Sequence, residues 1–438
     1  MKASCRRKME TLIVGFLIIL PLASKGDTLA ELRGVWRADF NDDVSRVVVQ
    51  LRSGAVSIWD TVSGAVVCAD VGKGKETDSY SLRPDHKAAF IALRPDGAQI
   101  VSLSSGELLS SLLDVNQVGR IEPNARFSPD NATLVVVDND RRAHVFDVQT
   151  GKRRIEPVPL AGSRVGDTEN NFPAKFSADG NRCFLMDSDG KLFRFDTRTW
   201  KQVGEPVQHP HREGYSFGFD VSPDGRWLAT FDSPGEHGPK GVLQVWDVET
   251  GKAVGSPVEG GDGIAAEFLV QPNRLLRQPG RGGVGVYDVS SGELRFGIRS
   301  HDDLYSPQVA VSPDGMKMIS FGPDRFLTLQ DGQSGEYLGG LPASASASSV
   351  FFAPDSKTCF IVFDNSAFSL QGHYDHYVMR VVLTKMEIDR SIRVLDFIHR
   401  IVLSPDGQRM IVIQGRTDRE RVRIIDTATM KPLDGYAE

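Results

Sequence analysis

Seven times along this chain a short apolar run ends in an aspartate that is followed, three residues later, by serine or threonine. The pairs are Asp60 with Ser63, Asp147 with Thr150, Asp196 with Thr199, Asp247 with Thr250, Asp288 with Ser291, Asp331 with Ser334, and Asp426 with Thr429. In five of them the next residue is a glycine: Gly64, Gly151, Gly251, Gly292 and Gly335. A carboxylate and a hydroxyl at that spacing can both bond backbone groups of one turn, and glycine takes the positive φ that reverses the chain. Each marker therefore reads as a hairpin, and the chain as an array of hairpins.

A second mark lies upstream of the first. It reads SPDG at Ser222, Ser312 and Ser404, with the variants RPDG at Arg94, SPDN at Ser128, SADG at Ser177 and APDS at Ala353. Proline presets φ in such a turn, and aspartate and glycine complete it. The interval from the first residue of this turn to the residue before the marker aspartate is 18 for Asn41 to Trp59, Ser128 to Phe146, Ser177 to Phe195 and Ser312 to Gln330. Between the turns lie β-branched and aromatic runs such as RVVVQL at 46–51, RWLATF at 226–231 and RMIVI at 409–413, which are strands by length and residue type. Recurrence about every 45 residues predicts four-stranded antiparallel blades set radially, a single all-β propeller.

The blade signatures resemble the WD40-repeat β-propellers, in the bacterial exported multi-repeat form. The resemblance rests on VSPDGRWLAT and VLQVWDVETGKAVG within 221–255, VSIWDTVSG at 56–64 and VFDVQTGK at 145–152, and extends over most of 35–430. It implies the propeller fold and no single function, because such scaffolds serve many purposes. It also implies a buried set in which the Trp before the marker joins a His, a Ser or Thr, and an Asp. Trp59 and Trp246 keep the aromatic, and His211 and His301, each 11 residues before an SPDG serine, fit the family histidine. His211 would meet Thr230 and Trp246, but neither set looks complete, so apolar packing is expected to dominate.

Nine turn candidates can be counted, at Asn41, Arg94, Ser128, Ser177, Ser222, Gln271, Ser312, Ala353 and Ser404. Two units look deficient: the one around Asp114 leaves 13 residues before Ser128, and the last has 12 residues after Asp426. Eight blades are therefore expected, with seven as the alternative, and the segment near Glu31 to Trp36 is expected to complete the last blade as its outer strand. Length alone would predict two or three domains. The repeat replaces that expectation with one unit over 27–438, in which ASASASS at 343–349 is a blade-connecting loop.

Residues 1–26 have another character. Lys2, Arg6, Arg7 and Lys8 precede the apolar Thr11 to Leu20, Pro21 breaks it, and Ser24 and Gly26 are small, the layout of a secretory signal peptide. Cleavage, with an uncleaved anchor as the alternative, predicts a periplasmic or extracellular product. Cleavage would remove five basic residues and Glu10 from a chain with 51 basic and 57 acidic residues, leaving a net charge of −10. Such a chain is a poor binder of nucleic acid or anionic membrane. Cys68, Cys183 and Cys359 form no CxxC pair and read as buried apolar residues.

No GxSxG, HExxH or Walker motif is present, and GRGGVGV at 280–286 has no helix after it. No cofactor or metal is expected. His209, Arg212 and His237 fall in segments that the fold brings to one face, and His373, Tyr374 and His376 in another loop there, so these six are the candidate binding residues. Long loops at 71–87, 157–171, 233–241 and 366–376 are read as the variable part of that face. The expectation is a non-catalytic scaffold binding a protein, or a glycan. The alternative is a hydrolase or lactonase with a metal at the central channel.

Overall fold

The structure is a computed structural model. It describes residues 28–433 apart from 76, 94–96, 112–120, 139–140, 161–173, 211–215, 234–240, 261–263, 271–273, 280–283, 299–307, 322–325, 343–345, 365–375, 395 and 416–418. The signal-peptide reading of 1–26 thus lies outside the described residues. So do His211, Arg212, His237, His301, His373 and Tyr374.

Among the described residues thirty-six strands, β1 to β36 in chain order, form nine four-stranded sheets, and each sheet is built from four consecutive antiparallel strands. The chain is a nine-bladed propeller, one blade more than expected. Blade 1 is β1 (Val35–Phe40), β2 (Arg46–Leu51), β3 (Val56–Asp60) and β4 (Val66–Cys68). Nine apolar clusters account for the nine joints between neighbouring blades. First strands of neighbouring blades meet across these joints, as β5 (Thr77–Leu82) does with β9 (Ile121–Phe127), so the first strands lie innermost around the axis.

The count was misread because left-handed turn positions hold side chains other than glycine. In blade 2 the first turn is Arg83 to His86, where His86 (φ 53°) stands in for glycine, and the marker is Ser102, followed by Ser105 and Gly106. That blade keeps the 18-residue interval, from Arg83 to Val101. The RPDG at Arg94 follows β6 (Ala88–Leu93), so it connects the second and third strands at the other end of the blade. In blade 8 the marker is absent: Val382 to Glu387 turns through Met386 at φ 51°. Non-glycine residues in this region cost about 1–2 kcal/mol each, and Val44, Trp200 and Met430 offset that strain by burying their apolar side chains almost fully.

Two local expectations also fail. The loop read at 71–87 contains β5, and 346–349, read as loop, begin β29 (Ser346–Phe352). The last blade completes itself with a two-residue outer strand, β36 (Lys431–Pro432), while the segment expected to do so forms a 3-10 turn (Leu29–Glu31) and the start of β1. Closure is by packing faces: Leu29, Val49 and Trp59 meet Ile411, Ile413, Val422 and Ile424 in one cluster. The Val35 N–H donates to Glu420 O across the joint at 3.3 Å, and Arg52 is ion-paired with the fully buried Glu420.

Candidate interaction face

Because first and third strands run alike, two kinds of connection share each end of the ring. The tight turns after first and third strands occupy one end, here the turn face. Connections between second and third strands, and between blades, occupy the other, the loop face. All seven marker aspartates sit on the turn face, and in each the Oδ1 accepts the N–H of the residue three positions on. Examples are Asp147 with Thr150 at 2.8 Å, Asp247 with Thr250 at 2.8 Å and Asp426 with Thr429 at 2.7 Å. These donors hold the carboxyls below the usual range. At Asp147, Asp196, Asp247 and Asp331 the backbone N–H is the leading cause. At Asp60 and Asp426 partial burial pushes upward and is outweighed by the same donors. At Asp288 the Ser290 hydroxyl leads, followed by Arg295.

The loop face is supported from beneath by buried polar chains. In blade 5 the Trp246 indole N–H donates to Thr230 Oγ1 at 2.9 Å, and Thr230 Oγ1 lies 2.8 Å from His209 Nδ1. His209 Nε2 faces Asp232 Oδ2 at 3.4 Å, and Asp232 Oδ1 accepts the Val242 N–H at 2.6 Å. An indole nitrogen only donates, so the Thr230 hydroxyl accepts from Trp246 and shares its remaining hydrogen-bonding capacity with His209 Nδ1. His209, Thr230 and Asp232 are fully buried. The set expected around His211 is thus built on His209, which shares Thr230 with Trp246 and faces Asp232. His209, grouped by sequence with the binding residues, holds the blade 4 to blade 5 crossing to the ends of β18 (Trp227–Ser233) and β19 (Gly241–Asp247).

The same device recurs one and two blades back. Asp138 accepts the Arg142 N–H at 2.7 Å and meets His144 Nε2 at 2.8 Å, and Asp187 accepts the Lys191 N–H at 2.8 Å. Burial pushes the Asp187 carboxyl up. Sequence reading passed over these three, yet Asp138, Asp187 and Asp232 each stand ten residues after the first-turn serines Ser128, Ser177 and Ser222. His376, another candidate binding residue, opens β31 (His376–Val382), is buried, and meets the Phe397 ring edge-on.

On the inner strands, the position two residues before the first turn is polar in blades 1 to 6 and apolar in 7 to 9, where Ala310, Phe351 and Val402 stand. Asp39 accepts from Arg37 Nε at 2.7 Å and from the Tyr80 hydroxyl at 2.6 Å. Burial and Asp39 push the Tyr80 phenol up. Lys175 Nζ donates to Asp220 Oδ1 at 2.8 Å, and Asp220 Oδ2 accepts the Phe268 N–H at 2.8 Å. Glu267 beside them has its carboxyl raised by burial and by Asp220. The Asp39 and Asp220 carboxylates thus tie neighbouring blades together. Among the described residues no three His, Cys, Asp or Glu side chains gather as metal ligands. Cys68, Cys183 and Cys359 are free thiols, and burial pushes that of Cys359 up to about 12.

Closed sheets around an axis define the class: a β-propeller. No family model matches the sequence, and no curated protein matches it. Among solved structures the chain is similar to a eukaryotic initiation factor, with a TM-score of 0.66 and 13% identity over 89% of this chain and 94% of that one. A computationally designed protein matches at a TM-score of 0.49 and 14% identity, over 75% of this chain and 93% of the other. At 13% identity the likeness to the initiation factor is one of fold.

Proposed function

We propose that this chain is an exported, non-catalytic propeller of the WD40 type that captures a protein partner, or a glycan, through the loops of its loop face. The observation that carries this reading is the division of labour between the two ends of the ring. Polar side chains beneath the loop face are engaged in holding the frame, as in the set of Trp246, Thr230, His209 and Asp232. The longest blade-to-blade and second-to-third-strand segments start and finish above them. A rigid frame under long connections is the usual architecture of recognition surfaces. The same buried set supports the WD40 resemblance, which the marker turns first suggested. Export rests on the layout of residues 1–26 and places the ring in the periplasm or outside the cell.

The test is capture from the native exported fraction by the ring and by variants in which 234–240 or 365–375 are replaced with Gly-Ser segments of equal length. Loss of a specific protein or glycan, with unchanged melting, supports the reading. Capture that survives both replacements places recognition elsewhere. The rival reading, a metal-assisted hydrolase at the channel, requires stoichiometric metal in the purified ring and loss of turnover on Asp220→Asn.

A further inference from the structure

One position on the turn face divides the ring by charge. The residue that follows the left-handed position of the third-strand turn is, from blade 1 to blade 9, Ala65, Glu107, Lys152, Lys201, Lys252, Glu293, Glu336, Glu387 and Lys431, and all nine are exposed. Blades 3 to 5 thus carry a basic arc and blades 6 to 8 an acidic one. None of these eight charged side chains is ion-paired among the described residues. Each blade with glutamate also carries exposed apolar side chains on its outer strand, and Val62 and Val67 add two on blade 1, which lies on the axis proposed below. Leu108 and Leu109 follow Glu107, Leu294 follows Glu293, Tyr337 and Leu338 follow Glu336, and Ile388 follows Glu387, with exposures from 43% to 59%. A cleft of about 610 Å³ between blades 6 and 7 has Glu293, Leu294 and Phe296 in its lining, together with the Asp288–Arg295 ion pair. The matching positions on the lysine blades are Arg153, Gln202, Ala253 and Pro432.

We infer that the turn face is the contact surface for a second copy of this chain. The order of charges around the ring selects the arrangement. A twofold axis in the plane between two stacked turn faces, running through blade 1 and through the joint of blades 5 and 6, sets blade 5 on the partner's blade 6. It likewise sets blade 4 on blade 7, blade 3 on blade 8, and blade 2 on blade 9. Each of these pairings then opposes a lysine to a glutamate, and Ala65 meets its own copy on the axis. Lysine stems lie over the leucines and Tyr337 beside each glutamate while their ammonium groups reach the carboxylates. The contact is isologous and closes at two copies, leaving both loop faces outward. It is independent of what the loop face binds.

Sedimentation of residues 27–438 over a range of salt concentrations tests the inference. The expected result is a dimer that weakens as salt rises, because exposed charge pairs are screened. Reversing the basic arc (Lys152→Glu, Lys201→Glu, Lys252→Glu) should give a monomer, and so should reversing the acidic arc (Glu293→Lys, Glu336→Lys, Glu387→Lys). An equimolar mixture of the two should recover a heterodimer, which also shows that each variant is folded. A further variant, Ala65→Cys, should form an intersubunit disulfide on oxidation. A wild-type chain that stays monomeric, a dimer that survives both reversals, or a mixture that does not associate overturns the proposal.

Discussion

Replacing Thr230 by valine preserves shape and removes one oxygen, and the effect follows from what that oxygen touches. Thr230 Oγ1 lies 2.9 Å from the Trp246 indole nitrogen and 2.8 Å from His209 Nδ1, and both Thr230 and His209 are fully buried. A buried group left without its partner costs about 1–3 kcal/mol, and two are orphaned here. Trp246 is only half-buried, so its N–H can recruit water and its share falls at the low end. The expected loss for Thr230→Val is therefore about 2–4 kcal/mol. Thr230→Ser keeps both hydrogen bonds and loses one methyl, a cost of about 1 kcal/mol. Urea unfolding followed by tryptophan fluorescence should rank wild type above Ser above Val, the reverse of what burying more apolar surface would give. If the valine variant is as stable as the serine variant or more so, the polar chain does not carry the stability assigned to it.

Three other perturbations test separate parts of the frame. Gly251 (φ +68°) lies where an added Cβ would come 2.5 Å from Nη2 of Arg194, which is buried and donates to Val248 O and Glu205 O, whereas Gly292 (φ +74°) has open space. Gly292→Ala should cost about 1–2 kcal/mol for the backbone alone, and Gly251→Ala clearly more, with the excess removed in an Arg194→Met background. Trp59 is fully buried and bonds Ser57 at 2.8 Å, so Trp59→Ala should lower stability by about 3–5 kcal/mol, and Trp246→Ala by less, as read from denaturant midpoints. The marker aspartates have folded pKa values below the unfolded value of about 3.9, so the stability they add is full above that pH and is lost as pH falls through their lower values. Melting temperature should thus drop steeply below about pH 4, and Asp147→Asn should flatten that drop.

The fold was legible because its turns need particular chemistry, and it was miscounted where another chemistry met the same need. Asp60 and Asp247 announce their hairpins; Ser102 builds an equivalent one without the carboxylate, and Val382 to Glu387 turns with an apolar residue at the marker position. Glycine is the cheapest residue at positive φ, so His86 and Met386 hide turns that glycine would have advertised. The histidine position shows a different limit. Its spacing to the next turn is set by a crossing between blades of variable length, so His211 fitted the count while His209 reaches Thr230. Asp138, Asp187 and Asp232 were readable in principle, since a constant interval from the first turn places them at the far end of the same strand. What the loops hold has no such ruler.

Among the described residues, the joint between blades 9 and 1 is made by two complete sheets packed face to face, with the Val35–Glu420 and Arg52–Glu420 contacts added at one end and no strand exchanged between the first and last units. Every blade is cut from one uninterrupted stretch of chain. A gene segment that encodes one such stretch, duplicated or deleted as a whole between the first and last blades, would change the number of members while leaving the contacts that close the ring in place.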